Sequence, residues 1–469
     1  MVSMKLVQSL DARLAAALPQ GALFAVGGRV RDELRAQVEG TPIPTKDFDY
    51  VVTGVPLAEI AERLSRLGRV DQVGAFFSVI KLTVDGDTVD VALPRRERSL
   101  GLGHRDFAVE SGPEVTLEED LARRDFRMNM MARALPAGEL VDPYGGEADI
   151  RARRIDILAP QSFREDPLRM LRAAQFAARF EYDVSPRTSQ SMRAAAPLVE
   201  TVSPERVHDE FTKLFGGASK PSIGLELLRE TGVLVYLWPE LLEGVGIEQN
   251  EWHAYDVWGH SLATIDASPM GDLIVRLSAL LHDVGKPRTK EGPHFYRHEI
   301  VGAEMSRAML ERFRFPNEVV KTTEHLVRQH MYSADPYLSD AALRRFIRRI
   351  GPANIERLFE LRQADILGSG LPERDGNNRE FEARLRAELA RKPAFSVRDL
   401  AISGDDVIAA LIRRGEVPAA FRGDERVGAA LQWLFEQVTD EPERNERTLL
   451  LHILEQYLDL GNLSSEVPG

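Results

Sequence analysis

Apolar positions recur along this chain with two different periods, and the change of period divides it. Up to about residue 150, short apolar or alternating runs such as ALFAVGG, FDYVVTG, FFSVIKLTV and DTVDVAL are separated by stretches of helical periodicity. That mixture predicts an α/β segment. Beyond residue 150 the helical period takes over. Residues 151–248 predict amphipathic helices, with capping signals at Asp166-Pro167 and Ser203-Pro204-Glu205. Residues 249–370 continue as helices and carry seven of the ten histidines. The segment GSGLPERDGNNREFEARLRAELARKPAF is polar and bears Gly and Pro near both ends. It reads as a linker leading into or containing one charged helix, before a last helical module that begins near FSVRDL. The expected class is α+β, with domains at 1–150, 151–248, 249–370 and 371–469.

Composition narrows the setting without naming a function. A chain of 469 residues is long enough for several cores, and it contains no cysteine, which excludes disulfides and thiolate metal sites. No apolar run is long enough to span a bilayer, and MVSMKLVQSLDARLAAALPQ patterns as an amphipathic helix, not a signal peptide. The expected location is the cytoplasm. A formal net charge of −13 argues against broad nonspecific nucleic-acid binding, so any RNA contact must be local. Basic residues do cluster between 151 and 180, where Arg151, Arg153, Arg154, Arg164, Arg169, Arg172 and Arg179 face only Asp156, Glu165 and Asp166.

The first chemical signal is GGRVRDELRAQVEGTPIPTKDFD, from Gly27 to Asp49. Residues i and i+2 of a strand project to one face, so Asp47 and Asp49 would stand side by side as ligands for divalent metal. Gly27 and Gly28 follow a predicted strand and would let backbone N–H groups approach a phosphate. Either motif alone is common by chance, but their order and spacing point to nucleotidyl transfer. Asp90, on DTVDVALPRRERS, shares a side with Thr88 and Ala92 and is the candidate third carboxylate. The corresponding chemistry uses two Mg2+ ions, one lowering the pKa of an attacking ribose 3′-hydroxyl and one stabilising departing pyrophosphate.

Six ordered motifs across roughly residues 20–215 carry a resemblance: VGGRVRDEL, KDFDY, EEDLARRDFRMN, DPYGGEADIRARRI, REDPLRMLRAAQFAARF and SPERVHDEFTKLF. Together they resemble the bacterial (class II) tRNA nucleotidyltransferase and poly(A) polymerase family. The resemblance implies a polymerase-β-like nucleotidyltransferase head followed by all-α neck, body and tail domains. By the same resemblance, triphosphate, metal and ribose contacts fall on Gly27, Gly28, Asp47, Asp49, Arg124, Asp125 and Asn129, and Arg29 and Arg31 join the nucleotide-binding set. One departure is that Arg127, Met128, Met130 and Met131 stand where small and β-branched residues are expected around the asparagine.

Glu165 to Arg169 resembles the family's base-reading element. If Pro167 begins a helix, Asp166 and Arg169 share a face. Cytosine and adenine both present an amino donor beside a ring-nitrogen acceptor, a pattern that a carboxylate paired with a guanidinium matches and that uracil and guanine oppose. Locally, Asp166 could equally be a helix cap. Arg172, one turn on, is a candidate helper. Residues 97–113 resemble the flexible loop that CCA-adding members use in switching from cytidine to adenosine, with a plain hairpin connection as the alternative.

The second signal lies among the histidines. LIVRLSALLHDVGKP puts His282 and Asp283 at the end of an apolar helix, His260 lies upstream and Asp365 downstream. This H…HD…D order resembles the HD phosphohydrolase superfamily and implies a divalent-metal site on those four side chains, with His298, His325 and His330 as further candidates. Nitrogen and oxygen donors without thiolate suit Mn2+, Ni2+ or Co2+. The expected activity is addition of C, C and A to the tRNA 3′ end from CTP and ATP, with hydrolysis of 2′,3′-cyclic or terminal phosphates at the HD site. No membrane partner is expected, and the protein would be a monomer or homodimer. Rival readings are a CC-adding, A-adding or poly(A)-adding member, or an HD metallohydrolase whose first half only binds RNA. The final module resembles a tail that grips tRNA.

Overall fold

The computed structural model describes residues 4–40, 48–73, 78–99, 107–371, 378–391 and 393–460. It divides into two compact units, Met1–Val245 with Met309–Phe315, and Gly246–Ala308 with Pro316–Gly469.

The first unit is built on a seven-stranded mixed sheet. Its strands are β1 (Leu23–Val26), β2 (Asp49–Val52), β3 (Arg69–Val73), β4 (Val79–Val84), β5 (Asp87–Ala92), β8 (Ala132–Ala134) and β9 (Leu140–Val141), in the order β3-β4-β5-β2-β1-β8-β9. Between β5 and β8 in sequence lie β6 (Arg95–Ser99) and β7 (Phe107–Ser111), an antiparallel pair of their own. Of residues 97–113, expected as a flexible loop with a hairpin as the alternative, 97–99 and 107–111 lie in this strand pair. In β5 the exposures alternate as the sequence pattern requires, with Val89 and Val91 buried and Thr88 exposed. β2 pairs parallel with β5, and its register sets Asp49 opposite Asp90. Neighbours directly opposite on paired strands share a face, so the register brings these two carboxylates together.

Helices complete this unit, including Arg169–Phe180 and Pro204–Gly217. Phe211 stacks on Trp238 with centroids 4.3 Å apart and planes within 3°, inside a fully buried aromatic core. The Arg169–Phe180 helix starts two residues later than Pro167 suggested. Asp166 is extended, its side chain accepts from Leu168 N at 3.2 Å, and a tight turn precedes the helix.

Among its described residues the second unit has helices and one small antiparallel pair, Lys290–Glu291 with His294–Phe295, which helical periodicity did not announce. The charged segment expected in a linker is the helix Asn378–Ala390, and it belongs to the core. Phe381 and Leu385 are fully buried, and Phe381 packs edge-on against Phe346 at 5.4 Å. Its Glu388, 3% exposed, accepts from Arg344 Nη1 at 2.6 Å, while Arg344 Nη2 reaches the Asp440 carbonyl at 2.8 Å. The charged helix was expected, but its polarity hid its burial, because its buried acid is satisfied by a buried partner from a distant helix. Among the described residues, no helix is long and apolar enough to cross a membrane.

Glu388→Ala leaves the Arg344 charge buried without its carboxylate and is expected to cost about 3–5 kcal/mol in urea unfolding of the second unit. The double variant Arg344→Met with Glu388→Leu should recover most of that loss. Equal stability of Glu388→Ala and wild type would show that the pair holds nothing together.

Candidate active site and metal centre

In the first unit, β1 runs directly into Gly27, whose φ of +74° is strained for any residue with a Cβ. A Cβ there would also lie 3.0 Å from Arg124 Nη1 and 3.7 Å from Asp49 Oδ2. Gly27 is the N-cap of the helix Gly28–Glu39, so the unbonded N–H groups and positive end of that helix face the surface where Asp49 and Arg124 converge. The cleft there has a volume of about 1070 Å3 and is lined by Gly27, Gly28, Arg31, Asp49, Arg124, Asp125, Asn129, Asp166, Arg169 and Arg172 among others. Asp90 lies with Asp49, Arg123 and Arg124 on an adjoining smaller cavity, 4.0 Å from Lys81 Nζ. Asp47 lies outside the described residues.

Two hydrogen-bond networks hold the cleft's cations in place. Asp120, fully buried beneath a Thr116–Glu119 capping box, accepts from Arg123 Nη2 and Arg124 Nη2, each at 2.8 Å, and from Arg95 N at 3.1 Å. Burial opposes its ionisation, but Arg124 and Arg123 outweigh that and hold the carboxyl below its usual range. Arg31 Nη1 donates to Asn129 Oδ1 at 2.8 Å, and Asn129 Nδ2 to the Asp125 carbonyl at 3.1 Å. Arg172 pairs with Asp125. The methionines flanking Asn129 fill the space below it, with Met128, Met130 and Met131 at most 1% exposed, and Arg127 is tied to buried Asp149 through Nε at 2.7 Å. Buried, flexible thioethers stand in place of the expected small and branched side chains.

Asp166 and Arg169, expected to read the base together, are each held by other partners. Both Asp166 oxygens are held by Arg206 Nη2, at 3.1 and 2.9 Å. Arg169 donates to Ser162 Oγ at 2.8 Å and to the Arg123 carbonyl at 2.7 Å. Arg206, Arg123 and Lys213 line the cleft and were not singled out from sequence, and Arg179, named only in the basic cluster, lines it too. Arg206 could have been, since it sits in the quoted SPERV motif. Arg29 is not among the cleft residues. Its guanidinium is buried on Asp11 (Nη1 at 3.0 Å), Glu33 (Nε at 2.8 Å) and the Tyr50 hydroxyl (3.1 Å), where it ties three elements together.

The second unit gathers His260, His282, Asp283, His298 and His330, each no more than 5% exposed, with Asp365 beside them. His260 comes from the helix Val257–Ala267, His282 and Asp283 follow Leu273–Leu281, His298 opens His298–Arg312, His330 ends Asn317–Gln329, and Asp365 lies on Ile355–Gly368. Gly285 allows this convergence, since a Cβ there would lie 2.4 Å from the His298 carbonyl. Four imidazoles meet backbone carbonyls through Nδ1: His260 with Gly368 at 3.1 Å, His282 with Ala279 at 2.9 Å, His298 with Phe295 at 2.8 Å and His330 with Val327 at 2.6 Å. A carbonyl only accepts, so Nδ1 carries the proton and the neutral ring turns a lone pair inward at Nε2.

Those inward nitrogens confront one another, His260 with His282 at 3.1 Å and His298 with His330 at 3.3 Å. Two lone pairs at such distances, ringed by carboxylate, fit a shared cation. Asp283 bridges the pairs. Its Oδ2 is 3.1 Å from His282 Nε2 and its Oδ1 3.3 Å from His298 Nε2. Asp365 Oδ1 is 3.1 Å from His260 Nε2. Burial pushes His330 down to about 3, which keeps it neutral and able to ligate. Burial also opposes the charge on Asp283, while the Lys286 ammonium, 2.6 Å from its Oδ2, favours it. The donors thus fit divalent metal in two groups, His260, His282, Asp283 and Asp365, and Asp283, His298 and His330. His325 is not part of either, because its Nε2 bonds the Ile350 carbonyl at 2.9 Å. His253, missed from sequence, groups with His260 and Asp365, and burial lowers it to about 4.

Comparison with known proteins matches three family models: the Poly A polymerase head domain over residues 23–156, the probable RNA and SrmB-binding site of polymerase A over 181–244, and the HD domain over 257–368. The multifunctional CCA protein of Verminephrobacter eiseniae is 36% identical over 434 residues, 88% of this chain and 100% of that protein. Its counterpart from Thioalkalivibrio sulfidiphilus is 36% identical over 400 residues, 81% and 93% of the respective chains. The crystal structure of the Bacillus stearothermophilus CCA-adding enzyme in complex with CTP superposes with a TM-score of 0.65 at 22% identity, covering 99% of this chain and 100% of that one, a likeness of fold.

Asp120→Asn preserves shape but removes the charge that anchors Arg123 and Arg124. A depressed folded-state pKa means stability present above the unfolded value, near 3.8, and lost as pH falls through the folded value. At pH 7 the variant should therefore be about 3–5 kcal/mol less stable in denaturant melts, and the gap should start to narrow near pH 4 and close only below the folded-state value. A gap independent of pH would contradict this role.

Proposed function

The chain belongs to the family of multifunctional CCA proteins, and we propose that it adds C, C and A to the 3′ end of tRNA from CTP and ATP without a template strand. The observation that carries this reading is the one cleft in which Gly27, Asp49, Arg124, Asn129, Asp166 and Arg169 meet. Two Mg2+ ions, held by Asp49 and Asp90 with Asp47 contributing from the same motif, would supply the charge that activates the 3′-hydroxyl and steadies pyrophosphate. In the transfer, the ribose 3′-oxygen bonds to the α-phosphorus, the bond to the β-phosphate oxygen breaks, and pyrophosphate leaves with that electron pair.

The protein's own groups bind and orient. Gly27 and Gly28 offer backbone N–H groups at a helix N-terminus to the triphosphate, and Arg124, fixed by Asp120, adds a guanidinium. Arg31 and Asn129 bear on the ribose, with Arg172 steadying Asp125. Asp166 offers an acceptor to the exocyclic amino group and Arg169 a donor to the ring nitrogen, a pairing that rejects UTP and GTP. Arg206 is the resident partner of Asp166, so a bound base competes with it for one carboxylate oxygen. On this reading residues 1–150 carry transfer, 151–248 base reading and RNA contact, 249–370 hydrolysis, and 371–469 hold the tRNA.

At the histidine centre we propose divalent-metal hydrolysis of 2′,3′-cyclic or terminal phosphates on RNA ends. A bound divalent ion would supply a water of lowered pKa. Water oxygen adds to phosphorus, one P–O(ribose) bond breaks, and the released ribose oxygen takes a proton. Lys286, whose Nζ is 2.6 Å from Asp283 Oδ2 and which lines the same cavity, is placed to meet phosphate charge.

Incubation of tRNA transcripts ending at the discriminator base, at C or at CC with CTP, ATP or both should give three, two and one additions when both are present. Asp49→Ala should lower extension at least about a thousandfold. Long adenosine tails on arbitrary RNA would mean a poly(A) polymerase, and two additions that then stop would mean a CC-specialist. Saturating Mn2+ or Ni2+ should raise the melting temperature of the wild type but not of His282→Ala, and equal shifts would refute the ligand assignment.

A further inference from the structure

The cavity beside the histidine centre has a volume of about 580 Å3, and its lining joins metal-site residues to aromatic ones, Trp252, Phe295 and Tyr296. Trp252 is 51% exposed and Tyr296 59%. Large aromatic rings left half in water while they line a cavity are surface that a flat ligand can cover. The Tyr296 ring is held by stacking on His294, with centroids 5.4 Å apart and planes 29° from parallel. The same stretch reaches the metal centre, since the Phe295 carbonyl accepts from His298 Nδ1 at 2.8 Å. The Phe295 ring is capped by the ammonium groups of Lys286 and Lys290, at 5.5 and 5.8 Å from its centroid. The two-residue strand His294–Phe295 and the turn residue Tyr296 after it thus orient a metal-facing imidazole and present an exposed ring.

Cations and a metal centre account for a phosphoryl group but give no reason for exposed aromatic planes. A nucleobase attached to that phosphate through ribose does, because every base stacks on an aromatic face irrespective of sequence. We propose that Trp252 and Tyr296 form the base platform of this cavity, so that it takes phosphoesters carrying a nucleobase in preference to bare ones. The proposal rests on the hydrolytic reading of the histidine centre and adds to it the part of the substrate held away from phosphorus.

The full-length Mn2+-loaded protein is assayed on adenosine 2′,3′-cyclic phosphate and on glycerol 1,2-cyclic phosphate, which lacks a base. Wild type should prefer the adenosine ester in kcat/KM. Trp252→Ala and Tyr296→Ala should each reduce that preference about 5- to 100-fold, chiefly through KM, and Tyr296→Phe should restore it. A preference unchanged in both alanine variants overturns the proposal. Calorimetric titration with adenosine 3′-monophosphate against inorganic phosphate supplies a readout independent of turnover, in which the alanine variants should weaken the nucleotide selectively. If neither ester is hydrolysed, the hydrolytic reading fails, and the titration still decides the platform: nucleotide and phosphate weakened alike, or neither weakened, refutes it. Circular dichroism melts confirm that the variants are folded.

Discussion

The parallel pairing of β2 with β5 is the constraint on which the first unit depends. A one-residue slip would turn Asp49 or Asp90 to the opposite face, and the observed register sets the two directly opposite. Gly27 belongs to the same arrangement, because its φ of +74° favours glycine and a Cβ there would crowd Arg124 Nη1 at 3.0 Å. Arg124 in turn stands on Asp120, which is buried and shared with Arg123. The strand register, the glycine turn and the buried acid are therefore parts of one assembly, and a carboxylate pair faces an arginine-rich cleft as a result. An acidic protein obtains a local cationic surface in this way without a basic overall composition.

The histidine centre solves a different problem by similar means. Backbone carbonyls fix four imidazoles in one tautomer, and a single aspartate lies between two pairs of inward nitrogens. Charge is concentrated where helix ends converge, and Gly285 makes the convergence sterically possible.

Much of this was legible in the chain. The strands around Leu23–Val26, Asp49–Val52 and Asp87–Ala92 follow from alternation and turn residues, and the pairing of Asp90 with Asp49 could be anticipated because side-chain direction in a strand has period two. The H…HD…D order found its four side chains together. What escaped was long-range compensation. The charged helix Asn378–Ala390 was expected within a linker, and its place in a core escaped because only the fold reveals Arg344 against Glu388. Arg29 sits in the glycine motif but is consumed by Asp11, a partner from the preceding helix, and His325 by a carbonyl. The Arg206–Asp166 pair joins residues forty apart, which local periodicity does not encode.

The central claim is that one protein-built cleft both activates the nucleotide and reads its base. A crystal structure of the full chain with CTP and Mn2+, examined by anomalous scattering, tests it most directly. The account predicts metal density bound by Asp49 and Asp90, with the cytosine amino group on Asp166 and its ring nitrogen on Arg169. Metal bound away from these carboxylates, or a base turned out of the cleft with the Asp166–Arg206 pair intact, would contradict it.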